Sequence, residues 1–162
     1  FLSLQVQDTL RLSSTAHWIV PIILPDRTSF SLLAFAATPP VFDGPEDMNG
    51  LRARDELRLW GHVLNGQLAA RPTSFAVIGN SNLDPNGGEG DRAAMANFLA
   101  RPDILDPHPQ SKNANWGEDG PGQLRVSYVL PSTDWQIMDA GTLWADGNFA
   151  GPHALVWVDV RR

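Results

Sequence analysis

Phe75-Ala76-Val77-Ile78-Gly79 (FAVIG) is a short run without a polar side chain, and it opens directly onto Asn80-Ser81-Asn82. A run this short cannot be a helix of ordinary length. Uniformly apolar strands sit in the middle of a sheet with both faces covered. The reading of this stretch therefore sets the architecture: a central strand, flanking strands on either side, and a loop at its carboxyl end.

The neighbouring segments supply the flanks. Residues 17–24 (HWIVPIIL) predict a strand, with Pro21 marking an edge or a bulge. Residues 30–37 (FSLLAFAA) predict a second, joined to the first through Pro25-Asp26-Arg27. Residues 124–130 (LRVSYVL), 135–144 and 153–160 (HALVWVDV) predict three more. Two helices intervene. Over 51–68 the apolar residues Leu57, Trp60, Leu64 and Leu68 recur at three- and four-residue spacing. Residues 91–100 form a shorter helix with Asp91 as N-cap. Long loops are expected at 38–50, 80–90 and 101–123. Strands and helices mix without strict alternation. The class is therefore α/β (α+β), with a mixed, largely antiparallel sheet and helices on one face.

Length and composition bound the rest. The chain has 162 residues, of which 43% are hydrophobic and 19% charged. That suits one globular domain over 1–162. No apolar run is long enough to span a bilayer. Cysteine is absent, which excludes disulfides, cysteine zinc sites and thiol nucleophiles. Twelve Lys+Arg face 18 Asp+Glu, for a net charge of −6, and Lys112 is the one lysine. Such a surface repels phosphate backbones, so broad nucleic-acid binding is not expected. Phe1 is expected to be a processed end, a fragment end or the first ordered residue.

Simple catalytic patterns are missing. His17, His62, His108 and His153 form no HxH or HExxH pair. Residues 79–83 hold a serine but lack the second glycine of a nucleophile elbow. Residues 87–90 are glycine-rich without the Lys-Ser or Lys-Thr of a phosphate loop, and read as a turn. The turn 42–50 offers Asp43, Glu46, Asp47 and Asn49 as hard oxygen ligands that Mg or Ca would accept. The simpler reading is a solvated acidic turn leading into a helix, with Asn49 near its N-cap. The tryptophans at 18, 60, 116, 135, 144 and 157 mostly fall on strand and helix patterns and are expected in the core. Trp116, in a Gly/Asn-rich loop, is the candidate for an exposed contact.

Several phrases together resemble the endonuclease/exonuclease/phosphatase superfamily, the DNase I-like metal-dependent phosphoesterases. Thr38 to Gly50 (TPPVFDGPEDMNG) is similar to the "TPPVFDGPEDRNG" loop of one bacterial branch. Leu10 to Ser14, His17-Trp18, Asp55-Glu56, the VIG before Asn80, Tyr128 to Ser132 (YVLPS) and the terminal HALVWVDV also match, in order. The resemblance covers only the C-terminal half of such a domain. It implies half of a four-layer sandwich, whose other half would supply the second sheet and a metal-binding glutamate.

The catalytic positions depart from the family pattern. The GDxN aspartate, which orients or activates water, corresponds to Asn80; the asparagine survives as Asn82. The aspartate before YVLPS corresponds to Ser127. In the terminal SDH the aspartate corresponds to Pro152, and His153 survives. The histidine of "ASHPTPP" corresponds to Ala36, and the aspartate of "HWDVP" to Ile19. The Asn-His before Asp55-Glu56 corresponds to Ala53-Arg54. An amide cannot act as general base at neutral pH, and a magnesium site needs carboxylates. No catalytic residue and no cofactor is therefore expected. His153 then reads as a strand-start histidine, and Asn82 and Asp84 as turn-capping residues.

Three readings follow. The first is a non-catalytic structural or interaction protein. The missing half would leave one sheet face bare, to be covered by the excised half, a second copy or another protein. The second is a Mg-, Mn- or Ca-dependent phosphoesterase with a site rebuilt from Asp43, Glu46, Asp47, Asp55 or Glu56. The third is a binder of small hydrophobic ligands in a vacated pocket formed by Ile19, Ala36, Asn80, Asn82, Ser127, Pro152 and His153. Export in the bacterial branch points to an extracytoplasmic, periplasmic or secreted location.

Overall fold

A computed structural model describes residues 3–108, 110–145 and 151–162; Phe1 lies outside them. The elements run α1 (Leu4–Gln7), β1 (Ala16–Ile23), β2 (Ser29–Ala36), α2 (Met48–Leu64), β3 (Phe75–Asn80), α3 (Arg92–Leu99), β4 (Ala114–Asn115), β5 (Gln123–Leu124), β6 (Ser127–Pro131), β7 (Gln136–Leu143) and β8 (Leu155–Arg161). The main sheet has the order β1-β2-β3-β6. β1 is antiparallel to β2, β2 parallel to β3, and β3 antiparallel to β6. The FAVIG strand is thus central, and the sheet is mixed and largely antiparallel. β7 and β8 form a separate antiparallel ribbon.

The strand alternation separates two faces. Leu33, Phe35, Phe75, Val77, Tyr128 and Leu130 point one way and are buried. α2 and α3 cover them with Ala53, Leu57, Trp60, Val63, Leu64, Met95 and Phe98, forming one core cluster. The opposite face carries Trp18, Val20 and Ile22 on β1, Phe30, Leu32, Ala34 and Ala36 on β2, Ala76 and Ile78 on β3, and Val129 on β6. Among the described residues no helix packs on it. The β7–β8 ribbon approaches its β6 side. At the far end Trp135 packs edge-on against Phe30 at 5.3 Å, and Arg162 donates to the Ser29 carbonyl at 3.1 Å. Toward β1 the cover ends, and Trp18 is 64% exposed.

Local departures from the sequence expectation have identifiable causes. α2 ends at Leu64, not at 68. Gly66 adopts φ +71°, and Gly66 N and Gln67 N donate to Val63 O and His62 O, closing the helix in a Schellman arrangement. Leu68 is therefore off the helix and exposed. At the other end Asp47 is the N-cap, and Asn49 lies near it, in the first turn. The 124–130 strand is broken into β5 and β6. There Arg125 N donates to Asp84 Oδ2 and Val126 N to Asn113 Oδ1, so side chains take the donors a ladder would use. Asp91 caps α3 as expected, accepting from Ala94 N at 2.8 Å. Trp116 is half-buried, and Trp18 and Trp144 are the exposed tryptophans. Among the described residues no helix is long and apolar enough to cross a membrane.

Candidate functional site

The substituted positions assemble at one end of the sheet. Ala36 pairs with Asn80 and Asn80 with Ser127, so a methyl, an amide and a hydroxyl form a row across β2, β3 and β6. All three lie on the face away from the helices. Two features of the backbone fix this row. Gly79 has φ +131°, and a Cβ there would overlap the Phe35 carbonyl oxygen, so only glycine lets β3 approach β2 this closely. Ala37 N then donates to Asn80 O at 2.8 Å, carrying the pairing one step past the strand end.

Asn82 holds the loop that follows. It sits in the left-handed region at φ +55°. Its Nδ2 donates to Ala37 O at 2.7 Å, and its backbone N–H donates to Asn80 Oδ1 at 3.2 Å. Both asparagines thus brace the turn, as Asx residues do.

His153 reaches the same end through Asn113, a buried residue that the sequence reading did not single out. Asn113 Oδ1 accepts from Val126 N and Ser127 N, both at 3.0 Å, and its Nδ2 donates to Ser127 O at 2.7 Å. Its backbone carbonyl accepts from Ala154 N at 2.9 Å. Asn113 therefore clamps β6 to the chain entering β8. Ala114 bridges His153, and Asn115 N donates to Pro152 O at 2.8 Å. The Trp116 ring meets the His153 ring edge-on at 5.3 Å. Burial holds the imidazole below its usual pKa, which keeps it neutral at pH 7. Among the described residues no carboxylate hydrogen-bonds that ring.

Ile19 stands apart. It pairs with Leu33, three positions down the strand from the Ala36 row, or about 10 Å away. It also belongs to the opposite, helix-side face and is 47% exposed at the sheet edge.

The carboxylates offered for a rebuilt site have other tasks. Asp43 Oδ2 accepts from Asn49 N, capping the first turn of α2 from outside, and Asn49 Nδ2 donates to Val41 O. Glu46 and Asp47 lie exposed in the same turn. Asp55 pairs with Arg54 and Arg58 at the surface. Glu56 is fully buried. Its Oε1 accepts from Ser14 N at 2.6 Å and Ser14 Oγ at 2.9 Å, and its Oε2 accepts from Thr38 N at 2.5 Å. It ties the entry to β1 and the exit from β2 to one helix, a structural role. Among the described residues no three His, Asp or Glu side chains converge as a metal would require. The donor set at the Ala36 row, with no carboxylate, does not fit Mg or Ca.

A second polar cluster gathers around Asp84. Asp84 is buried and accepts from Lys112 Nζ, Arg125 N and Asn86 N, each at 2.8 Å. Burial alone would raise its pKa, but these bonds outweigh it and hold the carboxyl below its usual value. Arg125 forms a two-pronged pair with Asp106 and lies over the Tyr128 ring at 4.5 Å. Its signal in the sequence was a lone arginine inside LRVSYVL.

No protein-family model and no curated protein matches the chain. Solved structures do. An endonuclease/exonuclease/phosphatase from Beutenbergia cavernae superposes with a TM-score of 0.64 at 17% identity, covering 88% of this chain and 38% of that one. Sphingomyelinase C from Streptomyces griseocarneus superposes with a TM-score of 0.51 at 15% identity, covering 87% of this chain and 52% of that one. The chain spans about half the length of these proteins or less. It carries part of a DNase I-like fold.

Proposed function

We propose that the chain is a non-catalytic interaction module, which holds a protein partner against the uncovered face of its main sheet. One observation carries this reading. The Ala36–Asn80–Ser127 row lies on that face and offers a methyl, an amide and a hydroxyl, continuous with the apolar surface of Trp18, Val20 and Leu32. A phosphoesterase needs a base to activate water and charge to balance a metal and a phosphate. This row supplies neither. A protein surface, by contrast, can bury an uncharged patch at little desolvation cost.

The test has two parts. An activated phosphodiester is incubated with the purified chain and Mg²⁺ or Mn²⁺, and the native mass of the particle isolated from its source is measured. The expected results are no turnover above buffer and a mass above the 17.7 kDa of the single chain. Metal-dependent turnover that copurifies with the chain would overturn the reading, as would a lone 17.7 kDa particle.

A further inference from the structure

We infer that the groove between α2 and α3 binds a small organic dianion, with two acidic groups about 10 Å apart on an apolar body. The site lies on the helix side of the sheet. It is independent of the interaction reading above, whose face is on the other side.

The first argument is an open wall. α2 and α3 leave a groove of about 490 Å³ between them. Leu57, Ala94 and Phe98 give it an apolar surface, and Gly61 opens the α2 wall. Nothing lies within 4 Å of the place a Cβ would take at Gly61. Glycine inside a helix is less favourable than any residue except proline. Here neither a left-handed φ nor a close neighbour calls for one. The space is open to a group from outside the chain.

The second argument is charge. The chain carries −6, yet at each end of the groove two arginines share one carboxylate. Arg54 and Arg58 share Asp55, at 3.0 and 3.5 Å. Past Asn65 the groove runs into a second hollow of about 650 Å³, where Arg71 and Arg101 share Asp103, at 3.1 and 2.8 Å. Each trio keeps one positive charge unbalanced. Asp91 also lines the groove, but it is the N-cap of α3 and accepts from Ala94 N at 2.8 Å. The positive end of the helix dipole offsets a carboxylate there. An anion with two charges matches this pair of trios. A polyanion would meet the −6 field of the whole surface.

The third argument is reach. Arg101 is spent on Asp103 and on Asn65 Oδ1, which accepts from its Nη1 and Nη2 at 3.1 Å. Arg58 and Arg71 are the more exposed arginine of each trio, at 56% and 57% of the side chain, and both keep N–H donors for a ligand. A guanidinium takes a carboxylate through two parallel N–H bonds. Asn65 Nδ2 has no partner among the described residues and adds a donor. Arg58 and Asn65 are seven residues apart along α2 and its C-cap, or about 10 Å. That separation sets the length of the ligand. Its body crosses the apolar stretch at Gly61, and its acidic ends meet Arg58 on one side and Arg71 with Asn65 on the other.

The experiment is titration of the purified full chain with decanedioate at low salt, read by calorimetry and by amide NMR shifts. The expected result is one saturable site, with shifts at Gly61 and Asn65 and none at Trp18. Decanoate, which lacks one charge, and butanedioate, which is too short, should each bind about tenfold more weakly. Arg58→Ala and Arg71→Ala should each weaken decanedioate by the same factor. Gly61→Leu should keep its circular dichroism, because the space is open and leucine favours a helix, and should abolish binding. Decanedioate that shifts no amide at Gly61 would overturn the inference. So would binding that Gly61→Leu and both arginine variants leave unchanged, or binding whose shifts fall at Trp18 on the uncovered face. Equal affinity for decanoate and decanedioate would overturn it too, since one charge would then suffice.

Discussion

The two faces of the main sheet are built from the same strands, yet they differ in what they do. On the helix side Leu33, Phe35, Val77 and Leu130 are sealed under α2 and α3. On the other side Leu32, Ala34, Ile78 and Val129, the next residues along, are only half-buried. A strand that is apolar on both faces encodes two layers of cover. This chain supplies one layer and a part of the second, the β7–β8 ribbon. Apolar patterning alone does not say whether both covers come from one polypeptide.

The largest test of the contrast is deletion of one side chain from each face. Leu33→Ala should cost about 2–5 kcal/mol, as deletion of a fully buried leucine does. Leu32→Ala, next to it but facing outward, should cost under about 1 kcal/mol in the dilute chain. Its cost should rise toward that of Leu33→Ala once the face is covered. Urea unfolding of the dilute chain, and of the particle isolated from its source, reads both. Equal costs in the dilute chain would break the contrast.

Glu56 gives the next effect. Glu56→Gln keeps the shape but turns an amide N–H toward a donor, either Ser14 N or Thr38 N. A buried donor left unpaired costs about 1–3 kcal/mol. Equilibrium unfolding checks this, and an unchanged midpoint would remove Glu56 from its structural role. Asn113→Ala should cost a similar amount, because Val126 N and Ser127 N lose their acceptor. It should also loosen His153, read as faster amide exchange at Ala154.

The smallest effect depends on pH. His17 lies on the covered face against Phe35 and Trp60. Burial lowers its pKa from the ordinary 6.5, against a weaker upward pull from the Glu56 carbonyl. The unfolded chain therefore takes up the proton more readily than the folded one. The stability from neutral His17 is complete above pH 6.5 and is lost as the pH falls below it toward the folded value. His17→Gln should flatten the unfolding midpoint between pH 7.5 and pH 5. A slope unchanged by the substitution would contradict this.

Much of this architecture was legible in the sequence. The FAVIG run, the apolar strand at residues 30–37 and the Asp91 cap each follow from short-range chemistry, and each was found within a residue of its expected place. The unread parts depend on groups distant in the chain. The break at Arg125–Val126 requires Asp84 and Asn113, and the end of α2 requires a left-handed Gly66, which an apolar spacing that includes Leu68 conceals. In the site, Ala36, Asn80 and Ser127 were grouped by their resemblance to family positions, and the strand register brings them side by side. Ile19 was grouped with them on the same grounds, but register and side-chain alternation put it on the other face. Trp116 looked exposed because its loop is polar; it is half-buried, with the His153 ring packed edge-on against it. Trp18 looked buried because its strand is apolar, and the sheet has no cover there.

Trp18 also gives the most direct test of the central claim, that the uncovered face is a contact surface. Hydroxyl-radical footprinting would compare Trp18 with Trp60, which is 1% exposed under the helices. In the dilute chain Trp18 should be labelled and Trp60 protected. In the particle isolated from its source both should be protected. Trp18 labelled equally in the two preparations would mean that the face is open to water in the working protein and is not a contact surface.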